Sequence, residues 1–173
     1  MKKFAHEILN ERIKESGWIA TGVPSIHYYT VGLVDEYDAP EIAMSCITIN
    51  QESAHKIISI AVEKIKNGFR FEAGQLYDGI LALGYKVKVV EVDSSNYQDW
   101  FAQAFGYPRD DLRMIQFVVP DINGNYPGDD EYQADIMMQL MFDERQEGCE
   151  LLCSVFSGQG TCSVCGKEGE HEH

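Results

Sequence analysis

Four cysteines fall within seventeen residues of a 173-residue chain: Cys149, Cys153, Cys162 and Cys165. The last pair forms a knuckle, Cys162-Ser163-Val164-Cys165, with Gly166 directly after it. A C-x2-C turn of this kind aims two thiolates at one ion, and zinc takes four soft or borderline ligands tetrahedrally. Cys149 and Cys153 stand one helical turn apart and can supply the second pair, with His171 and His173 as alternative ligands. A catalytic zinc needs an open position in a cleft, which a terminal segment rarely provides, so the expected site is structural. The fifth cysteine, Cys46, lies in an alternating apolar run and reads as an inert buried thiol.

A second set of chemistry-bearing residues sits at strand ends. Glu41 and Asp121 are candidate bases, with His27 or Tyr29 assisting; Thr30, Gln116 and Gly124 are candidate binding residues. Carboxylate and imidazole side chains can move protons once geometry brings them within reach of a substrate. Glu41, Asp121 and Gln116 have a plainer use as well, capping turns and fixing strand ends. His55 falls on the polar face of a helix and reads as a surface residue. The chain has no G-x-S-x-G, P-loop or G-x-G-x-x-G sequence.

The elements that must position these groups follow from hydrophobic period. Phe4, Ala5, Ile8, Leu9 and Ile13 predict a first helix ending at Gly17. Trp18–Val23 and Ile26–Val34 read as strands around a Pro24-Ser25 turn, with Gly32 marking a bulge or a close backbone approach. After a polar loop and a third strand, Ile42–Ile49, comes the clearest helix. Ala54, Ile57, Ile58, Ala61, Val62 and Ile65 form its stripe, Asn50 its N-cap and Asn67-Gly68 its end. Tyr85–Asp93 and Leu112–Val119 are further strands, Ser95-x-x-Gln98 opens a short helix, and Asp130–Met141 reads as a last one. This order is not a strict β-α-β alternation. It predicts an α+β fold: a mixed, mainly antiparallel sheet with helices packed on one face. Antiparallel pairing of the third and last strands would bring Glu41 and Asp121 to the same end of that sheet.

The apolar period stops near Met141, which predicts a domain over residues 1–142 and a Cys/His-rich acidic tail over 143–173. The net charge is −14, of which −9 falls in residues 129–173. Phosphate backbones attract basic surfaces, so direct nucleic-acid binding is not expected. The apolar runs are far shorter than the ~20 residues that span a bilayer, and no apolar stretch follows Lys2-Lys3 as a secretory signal would require. A cytoplasmic location without membrane contact is expected, and there clustered cysteines bind metal before they form disulfides.

Several segments resemble a bacterial and phage family, domain of unknown function 4262, over roughly residues 15–130. They are Gly17-Trp18, the Tyr-Thr-x-Gly-Leu strand Tyr29–Leu33, Pro40-Glu41, Gly68-Phe69-Arg70-Phe71, and Gln116-x3-Pro120-Asp121-x2-Gly124 with Pro127. The family usually continues Pro-Trp where this chain has Pro127-Gly128, and the Cys/His tail is not part of its pattern. The resemblance implies no established activity. The expected function is an intracellular binding or regulatory module that takes a small molecule or a protein. An enzyme using the strand-end carboxylates and an acidic decoy for a basic protein are the alternatives.

Overall fold

The computed structural model describes residues 2–107 and 111–146. The expected ligands Cys149, Cys153, Cys162, Cys165, His171 and His173 lie outside them. In chain order the elements begin with α1 (Lys2–Ser16), β1 (Ile19–Val23), β2 (His27–Val31), α2 (Leu33–Tyr37), β3 (Glu41–Ser45) and α3 (Gln51–Lys66). They continue with β4 (Leu76–Tyr77), β5 (Val87–Glu91), α4 (Tyr97–Trp100), α5 (Ala102–Phe105) and β6 (Met114–Val118). No helix of the described residues is long and apolar enough to cross a membrane.

The six strands form one sheet in the order β1-β2-β3-β6-β5-β4. Only β3 and β6 run parallel; the other neighbours are antiparallel. The α+β class and the mixed, mainly antiparallel sheet are therefore what the molecule has. Its layering differs from the expected single helical face. α3 packs Ala54, Ile58, Ala61, Val62 and Ile65 against Tyr28, Ile42, Met44, Val87, Val89 and Phe117 on one side. The other side carries Tyr29, Val31, Ala43 and Met114, covered by Ile13 of α1, by Trp100, Phe101 and Ala104, and by Leu140 and Phe142. Every residue of β2, β3 and β6 is buried, because side chains alternate across a strand and both sets here are dry.

Local chemistry explains the element ends. Asn50 Oδ1 accepts from Ser53 N–H at 2.8 Å and caps α3. At the other end Gly68, with φ +89°, closes the helix: Phe69 N–H donates to Lys64 O and Gly68 N–H to Ile65 O. The second strand stops at Val31 instead of running to Val34. Gly32 turns the chain there with φ +116°, and a Cβ on it would meet Gly17 O at 2.9 Å. Of the bulge or close backbone approach expected at Gly32, the close approach is present, and α2 starts where a bulge would stand.

The helix expected over Asp130–Met141 does not form. Turns occupy that stretch, and residues 138–146 then cross the second sheet face as an irregular strap. Side chains satisfy its backbone in place of a helix or a neighbouring strand. Gln116 Nε2 donates to Leu140 O at 2.6 Å and Gln116 Oε1 accepts from Phe142 N–H at 2.8 Å. Leu140 N–H donates to Ser45 Oγ, and Gln139 exchanges two hydrogen bonds with the backbone of Val119. Asn96 Nδ2 donates to Phe142 O and Glu144 O, while Asn96 Oδ1 accepts from Gln146 N–H. Trp100 Nε1 reaches Gln146 O at 3.3 Å.

The strap thus keeps its ties through Gln146, four residues past the boundary expected at 142. A chain ending after Gln146 is predicted to melt as one cooperative domain. A chain ending after Phe142 is predicted to lose about 2–4 kcal/mol, because the buried Asn96 amide forfeits Glu144 O and Gln146 N–H. Urea unfolding of the two truncations checks this; equal midpoints would show that residues 143–146 contribute nothing.

Candidate functional site

Glu41 enters β3 with 2 % of its surface exposed. Its Oε2 accepts from the Thr30 hydroxyl at 2.6 Å, and its Oε1 accepts from the N–H groups of Gly32 at 2.8 Å and Val34 at 3.3 Å. Thr30 Oγ1 in turn accepts from Ile42 N–H. The carboxylate therefore serves as a cap for α2. Burial pushes its pKa up, and the bonds from Thr30, Gly32 and Val34 pull it back.

Asp121 is equally enclosed, at 1 % exposure. Its Oδ1 accepts from Asn123 and Asn125 N–H, both at 2.9 Å, and its Oδ2 from Gln133 N–H at 3.0 Å. Desolvation raises its pKa, but these backbone donors together hold it below the usual carboxylate range. It staples the 121–133 loop, where Gly124 is exposed with φ +87°. The expected meeting of Asp121 with Glu41 does not occur. β3 and β6 are parallel and Glu41 pairs with Met114, so Asp121 lies at the opposite end. Met114 to Val118 alone spans about 13 Å, and three further residues follow.

His27 and Tyr29 share the second sheet face, stacked with ring centroids 5.4 Å apart. Trp100, Phe101 and Phe142 complete an aromatic box around the imidazole. His27 Nε2 bonds Trp100 O, which makes it the donor, and Nδ1 is a buried acceptor without a partner among the described residues. Desolvation lowers the His27 pKa, so the ring is held neutral. The Tyr29 hydroxyl donates to Gln103 Oε1, and burial lifts its pKa to about 12. Gln116 is occupied by the strap. Thr30, Glu41, His27, Tyr29 and Gln116 are thus drawn into one sheet interior, each tied to structure, with Asp121 and Gly124 apart from them.

Two surface constellations escape sequence pattern. His55 is more than a surface residue: its Nδ1 bonds the Tyr28 hydroxyl at 3.0 Å and its ring stacks on Trp18 at 6.1 Å. The other is a cleft of about 280 Å3 between the end of α3 and the edge strand β4, lined by Lys64, Phe69, Phe71, Leu76, Tyr77 and Asp78. Three rings build its wall: Phe69 to Phe71 at 4.9 Å, Phe71 to Tyr77 at 5.0 Å and Phe69 to Tyr77 at 5.5 Å. Glu72 N–H donates to the Tyr77 hydroxyl at 2.9 Å and fixes that ring. Lys64 Nζ lies 5.9 Å from the Phe69 centroid. The Gly-x-x-Phe step, Gly68 to Phe71, is the sequence signal for this cleft, though nothing in it specifies a ligand. No group of three or more His, Cys, Asp or Glu side chains fit to hold a metal occurs among the described residues.

The neutral His27 gives a pH prediction. Its folded pKa is below the unfolded value of about 6.5, so the stability tied to it is present above pH 6.5 and lost as pH falls toward the folded pKa. The Glu41 contribution has the opposite sign, complete below about 4.5 and lost as pH rises through its raised folded value. Urea unfolding between pH 7 and 5, compared with His27→Gln, separates the imidazole share. Wild type is predicted to lose up to about 1.4 kcal/mol per pH unit more steeply than the variant, the one-proton limit. Identical slopes would contradict a neutral buried imidazole.

Comparison with known proteins adds a family and nothing more specific. The family described as "Domain of unknown function (DUF4262)" matches residues 12–133, over two thirds of the chain. No curated protein and no solved structure matches it.

Proposed function

The chain belongs to the family of domain of unknown function 4262, and we propose that it acts there as a cytoplasmic binding or regulatory module whose tail folds around a structural zinc. The observation that supports binding over catalysis is the use made of the polar interior. Glu41 and Asp121 accept from backbone N–H groups, and Gln116 holds the strap. Engaging a substrate with such groups would compete with the backbone groups they hold. The partner, a small molecule or a protein, is then met on the surface.

The zinc rests on spacing. Cys162-x2-Cys165-Gly166 supplies one knuckle, and Cys149 and Cys153 supply the second pair, with His171 and His173 as alternative ligands. Four ligands drawn from so short a segment close the coordination shell, which is the arrangement of a site that organises its own chain.

Elemental analysis and native mass spectrometry of protein purified without chelator test this reading. About one zinc per chain is the expected result. A Cys162→Ser, Cys165→Ser double variant is expected to lose it while keeping the cooperative melt of the sheet domain. Full metal retention in that variant would overturn the ligand assignment.

A further inference from the structure

The β4 cleft has a shape and charge pattern that point to a ligand. Its aromatic wall is anchored: Phe71 is 5 % exposed and packs on Phe117 with centroids 5.1 Å apart. Phe69 and Leu76 are left 40 % and 50 % exposed on the same cleft. The same cleft is lined by one ammonium, Lys64, and one carboxylate, Asp78. Neither makes an ion pair among the described residues. An aromatic wall sharing one cleft with an ammonium and a carboxylate that pair with no other charge among the described residues is complementary to a small zwitterion with an apolar side chain.

We propose that this cleft binds a free α-amino acid with an aromatic or large aliphatic side chain. The side chain lies against Phe69, Phe71 and Tyr77; the α-carboxylate faces Lys64 and the α-ammonium faces Asp78. The volume of about 280 Å3 sits at the lower edge of ligand sites and admits one such molecule. Both charges on one α-carbon distinguish a free amino acid from a residue within a peptide, which has lost at least one of them. The inference rests on the binding-module reading. The two fail separately, since zinc and copurified ligand are read without added amino acid.

The test is a 1H–15N chemical-shift titration of the full chain with L-phenylalanine as probe. Saturable shifts are expected at Lys64, Phe69, Phe71, Tyr77 and Asp78, with a dissociation constant on the order of 1 mM for a ligand of this size in an open cleft. Phenethylamine, lacking the carboxylate, and N-acetyl-L-phenylalanine, lacking the ammonium, are each expected to bind about two- to fivefold more weakly, the range an exposed ion pair gives. Lys64→Met and Asp78→Asn are expected to show matching losses at an unchanged melting temperature. Should either variant fail to fold, the ligand series on the unaltered chain still decides. Absence of saturable shifts up to about 20 mM, well above the expected constant, or equal binding of the three probes, would overturn the proposal.

Discussion

The side-chain amide of Gln116 stands where a strand would otherwise have to be. Gln116 is fully buried in the middle of β6, yet it projects from the sheet face and pairs with the peptide groups of Leu140 and Phe142 as a neighbouring chain would. An amide has both a donor and an acceptor, so one side chain can satisfy both groups of an irregular segment. Left unpaired, each would cost about 1–3 kcal/mol in that dry setting. With the strap held, Phe142 and Leu140 close the second face and box in His27 together with Trp100 and Phe101. Asn96 and Gln139 extend the same device to either side.

One consequence is that buried polarity here is tied to the backbone. Glu41, Asp121 and Gln116 have the residue types of an active site, and each is consumed by backbone groups that no helix or sheet ladder reaches. Such groups turn a set of irregular connections into a single arrangement, because any other path for the strap or the loop leaves buried donors unmet. Unspent valence remains at the surface. The β4 cleft, with an ammonium and a carboxylate lacking ion-pair partners among the described residues, is such a place.

What could be read from the sequence was whatever has a period. α3, with its stripe, Asn50 cap and Gly68 end, follows from spacing alone, and the strands β1, β2, β5 and β6 were each located to within a few residues. The α+β class follows from their order. The second helical face was not legible, because Trp100, Phe101, Leu140 and Phe142 cover it from short or irregular segments with no sustained repeat. The false helix over 130–141 came from apolar residues at helical spacing, of which Ile136 is 62 % exposed. Tertiary hydrogen bonds from Asp121, Gln116 and Ser45 outweigh that local preference. The parallel β3–β6 pairing was also beyond reach, since register across a long connection leaves no local mark, and with it went the meeting of Glu41 and Asp121.

The account depends on side-chain amides holding the strap as firmly as a sheet holds a strand. Native-state hydrogen exchange at the amides of Leu140, Phe142 and Gln146 measures this directly, because their acceptors are Ser45, Gln116 and Asn96. The account predicts protection of Leu140 and Phe142 comparable to the central strands β3 and β6, with opening energies near the global unfolding value, and a somewhat lower value at Gln146. Exchange at Leu140 and Phe142 as fast as in an unfolded peptide, while β3 and β6 remain protected, would contradict it.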